Sequence, residues 1–468
     1  MQLGDILPHE SFDVQTASVE VNRVEIDSRQ CEFSTLFFAL SGATSDGANF
    51  VSDAIDRGAV AIVSPRALKA PVPVVVIPES RIYSMLTHAS ATVSGHPEVG
   101  IELVGVTGTN GKTTVATLVA ELARAMDWNG ATIGTLTNER TTPASPELYR
   151  TLARMRADFE GDKAKSVVAL EVSSHALDQH RVVGTAFSVV AFTNLSHDHL
   201  DYHRTMEAYY AAKVRLFSPD YSSRAVVWVD DPYGAHLATS TTLSVMPVSR
   251  GDAKDISSTL AGTIFFWRGH LVNTPLIGDY NIDNSLMAMT ILTQLGADEG
   301  RIAAAMAGVA AVPGRFEVVH RGDVTVIVDY AHTPEGLARL LRSVREMTSG
   351  RVLTVFGCGG DRDRAKRPEM GKVASELSDV TIVTSDNPRH EAPDAIIDAI
   401  IAGAVVSADV EREIDRRAAI ARALQRARAG DVVVVAGKGH ETTQTFADRV
   451  EAFDDREVVA ELVKGMSC

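Results

Sequence analysis

The chain has 468 residues, 45% hydrophobic and 22% charged, a balance that suits a soluble globular protein, and its length is too great for one ordinary core and fits two or three domains. Its formal net charge of −15 excludes nucleic acid as the main partner, because phosphate backbones are bound through clustered Lys and Arg, and any anionic ligand must be held by local cations. Three widely spaced cysteines, Cys31, Cys358 and Cys468, suggest neither a disulfide framework nor a zinc knuckle. The opening MQLGDILPHE lacks the character of a signal peptide, and no run approaches the ~18 apolar residues of a membrane span, so a cytoplasmic location without membrane association is expected; the chain is read as a monomer.

Residues 1–97 hold short β-like runs (Val19–Val24, Leu36–Leu40, Val60–Val63, Val72–Ile77) and a helical stretch near Phe50–Arg57, the pattern of a small α/β domain. The turn chemistry of Ser94-Gly95-His96-Pro97 closes it.

The next stretch, 101–126, organises the chain. Ile101–Val106 is an apolar run suited to a buried strand, Thr107–Lys112 is a Gly-rich turn, and Val115, Leu118, Val119, Leu122 and Met126 recur at helical spacing. Gly108 and Gly111 let the backbone N–H groups of Thr109 and Asn110 close around an anion, and the helix N-terminus at Thr113-Thr114 adds positive potential. Lys112 is placed to reach the outer phosphates of a nucleoside triphosphate and the Thr113 hydroxyl to hold magnesium. The common P-loop pattern has a further Gly five residues before Gly111. That position is Val106, so only the GxxGKT half is met.

From 98 to 312, apolar runs (Gly130–Ile133, Val167–Val172, Phe187–Phe192, Arg224–Val229) alternate with helical patterns, as a mostly parallel sheet with helices on both faces requires. Polar residues gather after the strands: Glu171 to His175, Thr193 to His199, and Lys213 further on. Ligands of open α/β sheets bind at those strand ends, and Glu171 beside the phosphate turn suits magnesium.

Pro313-Gly314 punctuates the chain before a third, Rossmann-like domain over 313–468, with strands expected at Val324–Val328, Val352–Phe356, Val380–Thr384 and Val432–Ala436. Pro334–Met347 reads as a helix with one apolar face, and the charged helix around Arg412–Ala429 as a solvated one. Gly357-Cys358-Gly359-Gly360 fails the dinucleotide pattern GxGxxG, whose sixth position is Arg362. After the strand ending at Thr384, Pro388 biases Asn387 to an extended conformation and aims Arg389 outward, where its planar donors match a carboxylate.

TGTNGKTT, EVSSHALDQHRV, FTNLSHDHLDYH with AAKVRLF, GDYNIDN, PGRFE, VDYAHTPEGL, FGCGGDRDRAKRPEMG, TSDNPRHEAP and GKGHE occur in one order that resembles the Mur ligase family. Within it they resemble the MurE type, which joins the third residue to UDP-N-acetylmuramoyl-L-alanyl-D-glutamate in peptidoglycan synthesis. In the N-terminal third, IDSR, LFFALSG and DGANFVSDAIDRGAVAIV resemble the family's uridine-binding domain, with Phe33-Ser34 where Pro-Gly is usual and Ala48 where histidine is usual.

The resemblance implies an ATP-dependent, magnesium-requiring amide ligase. Lys112 and Thr113 would serve the ATP phosphates, with Thr113 and Glu171 on one magnesium and His199 and a carbamylated Lys213 on a second. Asn284 is expected near adenine, and Arg315 and Asp329 at the phosphates and ribose. Ser28, Thr141, Thr142, Ser173, Gln179 and Arg181 should line the site for the UDP-N-acetylmuramoyl dipeptide. Asp386, Asn387, Pro388 and Arg389, with Arg362, Gly437 and Glu441, would bind the diamino acid, and DNPR resembles the signature for meso-diaminopimelate. The alternatives are a related ligase for lysine, another amine or another carboxylate carrier, and a nucleotide-binding module without turnover.

Overall fold

The computed structural model describes residues 1–466 apart from 9, 11, 43, 44 and 139, so Cys468 lies outside the described residues. Four parallel strands, β1 (Arg23–Glu25), β2 (Thr35–Phe38), β3 (Ala59–Ser64) and β4 (Val74–Val76), form the first sheet in the order β1-β2-β3-β4. The run expected at Val19–Val24 becomes strand only at its end. The Val19 N–H closes the turn after the helix Val14–Ala17 by binding the Thr16 carbonyl at 3.2 Å, and the Val21 N–H binds the Met1 carbonyl at 2.8 Å.

The second sheet contains β5 (Ile101–Thr107), β6 (Asn129–Ile133), β7 (Ser166–Glu171), β8 (Val189–Phe192), β9 (Arg224–Trp228) and β10 (Ser244–Val248). Its order is β10-β9-β8-β5-β7-β6, parallel throughout. Strands buried on both faces read as continuous apolar runs. Val104, Val106, Val167 and Ala169 pack with Leu118, Leu122, Leu286 and Ile291 of the helices Lys112–Ala125 and Asp279–Gln294. The intervening Leu103, Val168 and Leu170 pack with Leu148 and Leu152 of the helix Ser145–Asp158 on the other face. The chain builds one side of β5 and then crosses to the other, so the C-terminal ends of β5, β7 and β8 open at a topological switch point.

Strand and helix do not alternate throughout this part. β11 (Ala253–Thr259), β12 (Gly262–Trp267) and β13 (His270–Thr274) form an antiparallel sheet of their own. In β12 Phe265 and Trp267 are buried while Ile264 and Phe266 are exposed, a period-two pattern that commits a segment to a half-buried antiparallel strand.

The fourth sheet holds β14 (Glu317–Arg321), β15 (Thr325–Asp329), β16 (Val352–Phe356), β17 (Val380–Val383), β18 (Val410–Arg412) and β19 (Val432–Ala436). The order is β14-β15-β19-β16-β17-β18, with β14 antiparallel to its neighbour and the rest parallel. The four expected strands are its centre, flanked by the short edges β14 and β18. A hairpin, β20 (Thr443–Thr445) with β21 (Val450–Ala452), follows.

The charged helix spans Arg416–Arg426, and its reading as a solvated face is wrong at one position. Arg416 is fully buried and ion-paired with Asp455, whose side chain is equally buried. Pro313-Gly314 is packed rather than loose: Gly314 has φ +65°, and a Cβ there would lie 2.1 Å from the His440 amide nitrogen. Among the described residues no helix is long and apolar enough to cross a membrane.

Candidate active site

The phosphate turn leaves the C-terminal end of β5 and enters the helix Lys112–Ala125. Gly108 (φ +149°) and Gly111 (φ +85°) are forced choices, since a Cβ would lie 1.9 Å from Thr193 Oγ1 at the first and 2.4 Å from Asn284 Oδ1 at the second. Asn194 fastens the loop by accepting from the Thr109 N–H through its carbonyl (2.9 Å) and from the Asn110 N–H through Oδ1 (2.9 Å). Lys112 Nζ folds back onto the carbonyls of Gly108 (3.0 Å) and Thr109 (2.7 Å). Burial lowers its pKa, and the charges of Glu171 and Asp198 oppose the shift.

Thr113 Oγ1 donates to Glu171 Oε2 at 2.8 Å, which sets two oxygen donors side by side at the turn. Glu171 also accepts from the Thr135 N–H at 2.8 Å, and a Cβ at Gly134 would strike it at 2.1 Å. Arg315 Nη2 lies 3.4 Å from the Thr113 hydroxyl, its guanidinium stacked 4.1 Å from the Tyr330 ring centroid. Asp329, expected at the ribose, is occupied by the chain itself: it accepts from the N–H groups of Phe316 (2.6 Å) and Ala331 (2.7 Å) and from the Tyr280 hydroxyl (2.9 Å). Burial still raises its pKa.

Beside the turn, Thr142 Oγ1 donates to the Glu171 carbonyl (2.8 Å) and accepts from the Ser173 N–H (3.0 Å), and Thr141 Oγ1 lies 3.0 Å from Thr135 Oγ1. Arg181 donates to the Thr142 carbonyl (3.0 Å) and to Gln179 Oε1 (2.6 Å). A cleft of about 500 Å³ is lined by Thr109 to Thr114, Thr141, Thr142, Glu171, Ser173, Arg181, His199, Lys213, Asn284, Arg315 and Asp329. Gly108 and Gln179 are absent from its lining. Ser28 is also absent; its hydroxyl instead bonds Asp53 and lowers that carboxyl's pKa.

Lys213, from the helix Met206–Val214, is buried at 1% exposure with Nζ 2.7 Å from the Gly108 carbonyl and 4.6 Å from the Tyr209 ring centroid. Burial first, then Lys112, holds its pKa well below the usual lysine value. His199 adopts the left-handed conformation (φ +54°), and burial lowers its pKa to about 4. Among the described residues no group of three His, Cys, Asp or Glu could hold a metal ion. The donors that fit magnesium here are the paired oxygens of Thr113 and Glu171, with nucleotide phosphate to complete them.

A second pocket, about 320 Å³, is lined by Arg362, Asp386, Asn387, Arg389, Gly437 and Glu441, as the sequence pattern implies, but not by Pro388. Arg389 (φ +50°) donates from Nη1 to the Gly360 carbonyl at 2.7 Å. Pro388 acts through its backbone: a Cβ at Gly360 would lie 1.8 Å from its carbonyl oxygen. Asn387 Nδ2 donates to Glu441 Oε2 at 2.8 Å, and a Cβ at Gly437 would lie 2.8 Å from Asp386 Oδ2. Lys438, fully buried and missed from the sequence, donates to Glu441 (3.0 Å) and to the Thr443 carbonyl (2.6 Å). Its place inside GKGHE was the available signal.

The two pockets share a wall made of His175, Asp198, His199, Tyr330 and His332. Sequence reasoning gave no role to Asp198, Tyr330 or His332, although FTNLSHDH and VDYAHTP carry them. Burial opposes the charge on Asp198, yet His332, His199 and Lys366 together pull its pKa far below the usual carboxylate range.

A phosphate-binding parallel sheet, preceded by a small α/β domain and followed by a second α/β domain whose Arg-lined pocket meets the phosphate cleft, is the architecture of the Mur ligases. The chain belongs to that family. Residues 20–105 match the Mur ligase family catalytic domain, 106–292 the Mur ligase middle domain, and 314–439 the Mur ligase glutamate ligase domain. The chain is similar to the UDP-N-acetylmuramoyl-L-alanyl-D-glutamate–2,6-diaminopimelate ligase of Gloeobacter violaceus, at 42% identity over 485 residues and 98% of each chain. It is 40% identical over 473 residues to the ligase of the same name from Aquifex aeolicus, covering 98% of this chain and 96% of that one. A solved structure of a ligase of that name matches with a TM-score of 0.70 at 30% identity, covering 100% of this chain and 99% of that one.

Proposed function

We propose that the protein is the ATP-dependent ligase that joins meso-diaminopimelate to UDP-N-acetylmuramoyl-L-alanyl-D-glutamate in peptidoglycan precursor synthesis. The observation that carries this reading is the shared wall of the two pockets. A carboxylate activated at the phosphate turn then lies next to an amine held by the second pocket, and proximity of this kind accounts for much of a ligase's rate.

Lys112 exchanges the loop carbonyls for the outer phosphates of ATP, and Arg315 adds a second cation beside Thr113. The γ-carboxylate of the D-glutamate residue attacks the γ-phosphorus of ATP, and ADP leaves. Thr113 and Glu171 would hold one magnesium, and His199 with Lys213, once carbamylated, would hold a second; magnesium there would supply neutralisation of charge on the transferring phosphoryl group. Carbamylation requires a neutral amine, and Lys213 has the lowered pKa that supplies one. Asn284 lies at adenine and Asp329 near the ribose. Thr141, Thr142, Ser173, Gln179 and Arg181 hold the precursor, with Ser28 on its uridine side.

In the second pocket Arg389 pairs with the distal carboxylate of diaminopimelate, which lysine lacks, while Arg362, Asp386, Asn387, Gly437 and Glu441 hold the amino acid's other end. The working units are 1–97, 98–312 and 313–468, the last closing on the middle one about Pro313-Gly314 to keep water from the acyl phosphate. We read the enzyme as a cytoplasmic monomer. The test is product formation from the UDP-dipeptide with ATP and either diaminopimelate or lysine. Diaminopimelate is the expected substrate, and preference for lysine or indifference between the two would overturn the specificity.

A further inference from the structure

The acyl phosphate must be attacked by a neutral amine, so a group in the shared wall has to take the amine's proton. We propose that His332 is the catalytic base for the amine; the assignment rests on the ligase reading above and adds the residue that reading leaves open. His332 lines both pockets, so its imidazole stands where amine and activated carboxyl meet. Its Nδ1 lies 2.9 Å from the Tyr330 carbonyl oxygen, which only accepts, so Nδ1 carries the ring proton and Nε2 presents its lone pair. Nε2 is 3.8 Å from Asp198 Oδ2, too long for a hydrogen bond. Lys366 Nζ donates to the His332 carbonyl at 2.8 Å, and Thr333 caps the helix Pro334–Met347, which fixes the backbone on both sides.

The other titratable groups facing this wall are worse placed. Asp198 already faces two imidazoles, with His199 Nε2 at 3.5 Å and His332 Nε2 at 3.8 Å. His199 is committed to the second magnesium in the reading above, and His175 packs edge-on against it with ring centroids 5.0 Å apart. The Tyr330 phenol is pushed up to about 12, and Glu441 is occupied by Lys438 and Asn387. Asp363, also in the second pocket, lies 3.8 Å from His197.

In the step assigned, the amine nitrogen forms a bond to the carboxyl carbon. The bond from that carbon to the phosphate-bearing oxygen breaks, and its electron pair leaves with inorganic phosphate. The ammonium proton passes to His332 Nε2 before the attack and from there to solvent, and the second proton that the nitrogen loses on becoming an amide leaves on the phosphate as hydrogen phosphate.

Hydroxylamine separates this step from the one before it, because it is unprotonated at neutral pH and traps an acyl phosphate as a hydroxamate without a base. His332→Asn, which keeps a donor for the Tyr330 carbonyl, and His332→Gln, which keeps volume, are compared with the unmodified enzyme. Each should lower the kcat for amide formation about 10²-fold. The ratio of hydroxamate to amide should rise by a similar factor, and higher pH or added imidazole should restore amide formation. An unchanged ratio, whether both products persist or both fall together, would overturn the assignment. Absence of hydroxamate from the unmodified enzyme would instead count against the acyl-phosphate reading itself.

Discussion

Arg416 and Asp455 form a two-point ion pair, Nε to Oδ1 at 2.8 Å and Nη2 to Oδ2 at 2.7 Å, with both side chains fully buried. The same guanidinium donates to the carbonyls of Ser385 (3.3 Å) and Ala436 (3.0 Å), the residues that precede Asp386 and Gly437. One buried cation therefore ties together the two loops that line the second pocket. Removing one partner strands a buried charge, so Arg416→Met should destabilise the fold by about 3–5 kcal/mol in chemical denaturation. Arg416→Met combined with Asp455→Leu should recover much of that loss, whereas equal losses in the single and double variants would show that the pair is not coupled.

Arg389 faces the second pocket with one of its nitrogens on the Gly360 carbonyl. Arg389→Ala should raise the KM for diaminopimelate on the order of 10²-fold, the effect of leaving a bound carboxylate unpaired, and change the KM for the UDP-dipeptide far less. Steady-state kinetics with each substrate varied checks this, and equal rises would remove the residue from specificity.

Lys213 is a buried amine, its pKa held well below the usual lysine value by burial, and it donates to the neutral Gly108 carbonyl. Enzyme stripped of carbon dioxide should lose activity and regain it with bicarbonate, while Lys213→Ala should be inactive with or without bicarbonate. A bicarbonate-independent wild-type enzyme would contradict the carbamate.

The local parts of the site were legible in the sequence, because the phosphate turn and the strand and helix around it are set by adjacent residues. The pattern TGTNGKTT therefore gave Lys112 and Thr113 their positions, and Glu171 its strand end. Arg416 was not legible, since a charge on a charged helix reads as solvated until a partner 39 residues away buries it. The meeting of Asp198 and His332 likewise depends on how the loops after β8 of the second sheet and β15 of the fourth come together. The antiparallel strands β11 to β13 carried a readable alternation within a region dominated by parallel runs.

The His440 ring lies tilted with its centroid 5.2 Å from that of Tyr330, its Nδ1 has no hydrogen-bond partner among the described residues, and burial, then Arg315 and Arg456, lower its pKa from 6.5 to about 4. The unfolded chain therefore binds a proton here that the native chain refuses. Stability should fall as pH drops from about 6.5 toward 4 and should not depend on this group above that window. His440→Gln should flatten part of that slope in denaturation midpoints measured across the window; an unchanged slope would mean that His440 charges freely in the native state.

The central claim is that the phosphate turn activates a carboxylate of the UDP-dipeptide. The most direct measurement places a heavy-oxygen label in the D-glutamate γ-carboxylate and follows it by mass spectrometry during turnover with ATP and diaminopimelate. The account predicts that one labelled oxygen appears in the released phosphate for each amide formed, and that Lys112→Ala releases none. Unlabelled phosphate accompanying amide formation would contradict it.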